Sequence, residues 1–303
     1  MDFLTSIINE VAVMPSVTGV LDTAILLDRL KQATVIRTQN VCDYLYQETE
    51  QEYFVLNRDF PNIAPPWPLF FMHHRMPRRS HSEGRIVQTA YGNVDLGFLF
   101  QSYRPEKSHW RVACAIFARG SGGTFVQSVA WQVANDGRFL NADGTEIDLG
   151  EGGCKFVVTD AYRLPSGRAS NRDPSFDVNL LFVPFLALSF CHCKNVAVRR
   201  ETVPLPVQRK RQRKYGWSPQ SWHEIQIEPV RRVLENSGAR QGRNGLARAL
   251  HIQRGSFRDY REGRGLFGKH HGIWWWEAWL KDASHPHGYT VKPSATADLK
   301  EQP

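Results

Sequence analysis

A chain of 303 residues, 42% hydrophobic and 12% aromatic, carries enough apolar side chain for a real core in one large domain or two ordinary ones. Its greasiest run, Leu180 to Phe190, is eleven residues long and contains Pro184, which argues against a membrane span. The formal charge of +8 is uneven: residues 196 to 281 hold 18 Lys or Arg against 7 Asp or Glu, a net +11, leaving −3 for the rest. A cationic field on the C-terminal third steers polyanions, and the same surplus could equally be a solvated surface. The N-terminus MDFLTSIINEVAVMPSV lacks a basic segment ahead of its apolar residues, and the five cysteines are odd in number and scattered. Both features fit a reducing cytoplasm better than an export route with a disulfide framework.

Along the chain, residues 1–55 read as a helical hairpin. In GVLDTAILLDRLKQ, Val20, Leu21, Ala24, Leu27 and Leu30 recur at the helical period, and VIRTQNVCDYLYQETEQEYF continues with Val41, Tyr44, Leu45 and Phe54 facing inward. The proline-dense DFPNIAPPWPLFFM forbids helix and predicts an extended, packed connection. Residues 56–195 then read as an antiparallel sheet domain of four to six strands, because VDLGFLFQ, WRVACAIFA, GTFVQSVAWQV and CKFVVTDAY are separated by RGSGG, NDGR and NADG. The fold class expected is α+β, with the N-terminal helices packed on one face of that sheet and a basic β-rich module behind it.

Residues 196–225 lose periodicity, carry five Lys or Arg between 209 and 214, and read as a basic linker or loop. EPVRRVLENSG, with Pro229 early and Gly238 late, predicts a short helix opening a module over 226–282; residues 283–303 read as a tail. In that module LARALHIQRGSFRDY and GIWWWEAWLK read as two strands joined by REGRGLFGKHH, with Gly255 inviting a bulge and a register shift. Alternation places Trp274 and Trp276 on one face, and Trp275 and Trp279 on the other. One face must bury, and the other is left as a platform on which bases could stack.

Two functional readings follow from these residue types. In the first, Arg254, Arg258, Arg261, Arg264 and Lys269 neutralise phosphates, while Trp275 and Trp279, or Trp274 and Trp276, stack on bases of RNA or single-stranded DNA. In the second, His251 is a base and Tyr260 or His271 an acid, with Arg254 holding the crowded phosphate, giving metal-independent RNA cleavage. A third reading, from another class, makes the same Trp and Arg surface a contact for a protein partner. Each residue also has an ordinary role, since adjacent tryptophans often build cores.

The segment RALHIQRGSFRDYREGRGLFGKHHGIWWWEAWLK, with LSFCHCKNV and DFPNIAPPWPLFFM, resembles a group of uncharacterised bacterial, plasmid and phage proteins that end in an HxxRGxF, GLFGK, WW pattern. The resemblance is sharp over the last ninety residues or so and implies a phage or mobile-element context. Its His, Arg, Tyr and Trp pattern is also similar to small RNase toxins of the RelE and barnase type, in which a twisted sheet presents basic residues to RNA. Ser256 stands where many of the group carry another His, which removes one candidate acid or base.

Other constellations point to less. Cys191, His192 and Cys193 are three soft ligands where a structural zinc needs four, and LLFVPFLALSFCHC reads as an apolar strand ending in small buried thiols. The loop from Arg119 to Gly123 lacks the Gly-Lys-Ser/Thr ending of a phosphate cradle and reads as a hairpin turn. No carboxylates stand at two-metal nuclease spacing. MHHRMPRRSHSEGR reads as a wet connector. No cofactor and no metal are expected.

Overall fold

The computed structural model describes residues 3–14, 22–47, 54–76, 79–82, 85–88, 94–105, 109–120, 123–147, 154–164, 166–169, 177–227, 250–253, 255–266, 268–276 and 279–282. The expected helix over 228–238 and the tail 283–303 lie outside these residues. The described chain is α+β, built on one large mixed sheet.

The N-terminal part runs α1 (Phe3–Ala12), α2 (Thr23–Gln32), β1 (Thr34–Arg37), α3 (Gln39–Gln47) and β2 (Leu69–Arg75), followed by the small pair β3 (Arg79–Ser82) and β4 (Arg85–Gln88). Long strands come next: β5 (Asp95–Tyr103), β6 (Trp110–Gly120) and β7 (Gly123–Val133). Four short ones follow, β8 (Phe139–Leu140), β9 (Val157–Val158), β10 (Tyr162–Leu164) and β11 (Arg168–Ala169). A 3-10 turn (Val178–Leu181) leads into α4 (Phe182–Cys191), then β12 (Ala197–Thr202), α5 (Leu205–Tyr215) and β13 (Ser221–Gln226). The chain continues with β14 (Leu250–Gln253), β15 (Ser256–Asp259), β16 (Ile273–Trp276) and β17 (Trp279–Asp282).

Strand order in the large sheet is β11-β10-β7-β6-β5-β2-β1-β13-β12, with β8 and β9 also paired to β7. The sheet is mixed, not antiparallel throughout: β1 runs parallel to both β2 and β13. A parallel neighbour requires a crossover, and α3 supplies it between β1 and β2. The expected helical hairpin is therefore interrupted. Thr34-Val35-Ile36-Arg37 is β-branched at three positions of four and forms a central strand, which throws α3 onto the face opposite α1 and α2.

Each face of the sheet is covered. On one, Phe3, Ile7, Leu26 and Leu30 of α1 and α2 bury against Val35, Phe71, Leu99 and Phe117. On the other, Val41 and Leu45 of α3 and Phe185, Leu186 and Phe190 of α4 bury against Phe70, Met72, Phe98, Phe100 and Trp131. Successive residues of β2 and β5 thus point into different cores, as pleating demands. The helices do not lie on one face only, as the sequence suggested; they sandwich the sheet.

Two further expectations are corrected. The apolar run read as a strand is α4, buried from Val183 to Phe190, with Pro184 tolerated because it falls in the first turn. An all-round apolar segment has no period that separates strand from helix. The segment 196–225, read as a linker, forms strand, helix and strand. Helix α5 starts behind Pro204, ends on Gly216 in the left-handed region (φ 67°) with Arg213 and Lys214 in its last turn, and buries none of its residues, so it shows no apolar stripe. The glycine-bearing turns expected at 135–137 and 141–144 are formed, with Gly137 and Gly144 at φ 89° and 85°. Among the described residues no helix is long and apolar enough to cross a membrane.

Candidate nucleic-acid interface

The expected C-terminal hairpin is present as an antiparallel ribbon. Its loop closes through reciprocal backbone bonds between Leu266 and His270, and the Tyr260 N–H donates to the Gly272 carbonyl at 2.8 Å. Gln253 faces Trp279 and Ser256 faces Trp276, so the register runs through Gly255 without the shift a bulge would introduce. Glycine is needed there for another reason. A Cβ on Gly255 would come within 2.3 Å of the Trp275 ring, which lies across the backbone.

Parity then divides the tryptophans. Ile273 and Trp275 point inward and are 2% and 8% exposed. Trp275 meets Phe190 edge-on at 4.8 Å, Phe257 at 4.8 Å and Tyr44 at 5.7 Å, so this indole is core and not a stacking surface. Trp276 points outward and is 44% exposed, with the Arg258 guanidinium 5.6 Å from its ring centroid. Trp274, half-buried on the same outer face, pairs in register with Arg258 and has the His270 ring 6.0 Å away. The outer pair, Trp274 and Trp276, is the one available to a partner. Trp279 falls on β17, and its side chain lies outside the described part.

The ribbon is fastened from beneath by residues whose sequence gave no sign of it. Asn195 donates to the Trp275 carbonyl at 2.6 Å and accepts from its N–H at 2.8 Å, copying a strand partner with one side chain. The Lys194 N–H donates to the Ile273 carbonyl at 2.9 Å, and its stem crosses Gly272, where a Cβ would sit 2.9 Å from its Cγ. The Cys-His-Cys cluster serves the same junction. The His192 ring reaches the Ala64 carbonyl at 2.8 Å, the Cys193 thiol donates to the Ser189 carbonyl, and Cys193 bridges to Ile273. Burial pushes the Cys191 and Cys193 thiols up to about 12, in keeping with packed, protonated groups.

Arg261 also belongs to this fastening. Its guanidinium grips both oxygens of Asp259 and donates to the carbonyls of Asp136 and Pro61, tying the ribbon to the 134–138 turn. Partial burial acts to raise the Asp259 carboxyl, but its bonds to Arg261 bring it below the usual carboxylate range. Arg261, expected on a phosphate, already spends most of its donors on these partners. Arg258, Arg264 and Lys269 are exposed, and among the described residues no carboxylate pairs with them.

The expected acid–base set is not brought together. Tyr260 and His271 sit at the loop end of the ribbon. His251 lies on β14 opposite Lys281, nine residues back along the strand, a contour of about 30 Å. An acid and a base acting on one phosphate must each reach it by hydrogen bond, and the described residues do not place His251 within such reach of Tyr260 or His271. Arg254, and the His251 side chain, lie outside the described residues. His74, read as part of a wet connector, is instead fully buried in β2, stacked on Phe98 at 5.4 Å, with its Nδ1 3.3 Å from the Thr38 hydroxyl. Among the described residues no group of three or more His, Cys, Asp or Glu is placed to hold a metal ion. No family model, curated protein or solved structure matches this chain.

Proposed function

We propose that this chain binds single-stranded nucleic acid, RNA or DNA, on the outer face of its C-terminal ribbon. The observation that carries the reading is Trp276, 44% exposed beside Arg258 on a strand whose other face is locked into the core. A large indole held at the surface on a rigid element, next to a guanidinium, offers ring stacking to a base and charge to the adjoining phosphate. Trp274 and His270 extend the platform, and Arg264, Lys269 and Lys194 bring further positive charge to the loop end.

The test is fluorescence anisotropy of a labelled oligouridine and its deoxy counterpart as salt is varied. Four cations, Lys194, Arg258, Arg264 and Lys269, each releasing a counterion from a single strand, give a slope of log K on log salt of about −3. Trp276→Ala removes one stacked base, about 1–3 kcal/mol, and weakens binding roughly 5- to 150-fold. Binding that ignores salt and Trp276 alike refutes the proposal, and capture of an acidic protein in its place would support a protein partner.

A further inference from the structure

Strands β1 and β13 are parallel neighbours, yet they pair only at Ile36 with His223 and Arg37 with Glu224. Toward the N-terminal end of β1 they diverge: Thr34 and Val35 keep their partners on β2, while Ser221 and Trp222 keep theirs on β12. The gap between them is a cavity of about 470 Å³, bounded by Thr34, Val35 and Ser221 of the strands and by the 217–220 turn. That volume lies within the range of small-molecule sites.

Its walls are chemically specific. Trp67 and His223 lie against each other on one side, ring centroids 4.8 Å apart. Trp217 forms another wall, its indole N–H donating to the Lys31 carbonyl at 3.2 Å, which fixes the ring. Burial, with the nearby charge of Arg200, lowers the affinity of His223 for a proton against the opposing pull of its ring's bond to the Val35 backbone, so the imidazole adds an aromatic surface more than a charge. The formal charge on the lining comes from Lys31 and Arg200, and no carboxylate lines it. Arg200 is itself positioned, its Nε donating to the Ser221 hydroxyl at 3.0 Å.

Flat π-surfaces, two cations, strand-edge amides and carbonyls, and no opposing acid suit a planar heterocycle carrying an anionic group. We infer that the cavity between β1 and β13 is a binding site for a nucleoside 5′-monophosphate, with the base against Trp217 or Trp67 and the phosphate toward Arg200 and Lys31. The site shares no residue with the ribbon and stands whether or not the ribbon binds nucleic acid. The ligand's source is either a free mononucleotide or the phosphorylated 5′ end of a strand.

Isothermal titration of the full chain with AMP and UMP in turn, with adenosine, uridine and inorganic phosphate as controls, tests this directly. The expected result is saturable single-site binding of at least one monophosphate with Kd below about 1 mM, and at least tenfold weaker binding of its nucleoside and of phosphate alone. Arg200→Ala and Trp217→Leu each weaken that binding at least tenfold, while Trp276→Ala leaves it unchanged. Arg200 is exposed, so its truncation does not endanger the fold. Comparing 5′-phosphorylated with 5′-hydroxyl oligouridine on the Trp276→Ala protein separates the sources: a preference for the phosphorylated strand assigns the site to strand ends, and none assigns it to free nucleotide. Absence of saturable binding to either monophosphate, or binding indifferent to both Arg200→Ala and Trp217→Leu, overturns the inference.

Discussion

Two adjacent tryptophans with opposite fates give the sharpest test of the interface. Trp275 is 8% exposed and packed on Phe190, Phe257 and Tyr44; Trp276 is 44% exposed. Truncating a buried tryptophan to alanine costs about 3–5 kcal/mol, the lost transfer energy plus the cavity left between Phe190 and Tyr44. Against a total stability of about 5–15 kcal/mol, Trp275→Ala leaves a marginal protein. With a urea slope of up to about 3 kcal/mol per molar, its midpoint falls by at least about 1 M. Trp276→Ala removes a ring that already faces water and changes stability by about 0.5 kcal/mol, while weakening single-strand binding roughly 5- to 150-fold. Urea melts followed by circular dichroism read the first effect, and anisotropy on the folded variants reads the second. If Trp276→Ala is as destabilising as Trp275→Ala, or if Trp275→Ala keeps its midpoint and alone loses binding, the assignment of faces is reversed and the proposal goes with it.

Asn195→Ala deletes both bonds to the Trp275 backbone and costs about 1–3 kcal/mol, with faster hydrogen exchange at the Trp275 amide; Asn195→Asp keeps the acceptor but sets a carboxylate oxygen against the Trp275 carbonyl, and costs at least as much. Unchanged exchange at that amide would show that the clamp does not hold the ribbon. His74 makes stability depend on pH. Burial, with a smaller contribution from His73, lowers its folded pKa to about 3, against an ordinary value near 6.5. The unfolded chain therefore binds the proton first. The stability tied to neutral His74 is complete above about pH 6.5 and declines as pH falls toward 3, by up to about 1.4 kcal/mol per pH unit. Melts between about pH 7 and 5, above the carboxylate range, read this slope together with those of His192 and His223, which burial also lowers, and His74→Met reduces it by the His74 share; an equal slope in the variant refutes the assignment.

What the sequence made legible follows the physics of each signal. The turns at Gly137 and Gly144 could be read because only a left-handed position demands glycine there, and β5, β6 and β7 because each carries a long β-rich run between such turns. Strand β1 was hidden by its shortness: four residues between two amphipathic helices do not disturb a helical reading, although they decide which face α3 covers. Helices α4 and α5 failed for opposite reasons. The first is apolar on every side and the second polar on every side, so neither has the one-sided stripe that periodicity detects. In the ribbon, alternation separated Trp275 from Trp276, but the choice of buried face depends on a groove built by Tyr44 and Phe190, residues remote in sequence.

The same remoteness explains why charge type could not assign roles to the arginines. Arg258 and Arg261 stand three positions apart with identical chemistry, yet Arg261 meets the carboxylate of Asp259 and the carbonyls of Asp136 and Pro61, while Arg258 meets the exposed ring of Trp276. A guanidinium engaged by three acceptor groups has few donors left for phosphate, since its five donors point in a fixed plane. One lying over a solvent-facing indole keeps its donors toward water. The fold thus divides the C-terminal surplus of cations into those that fasten the ribbon and those that are displayed on it. Rigid fastening lowers the ordering cost of binding. Arg261→Ala should accordingly act through stability and ribbon order, and Arg258→Ala through affinity and the salt slope, reduced by about 0.7 for the one cation lost.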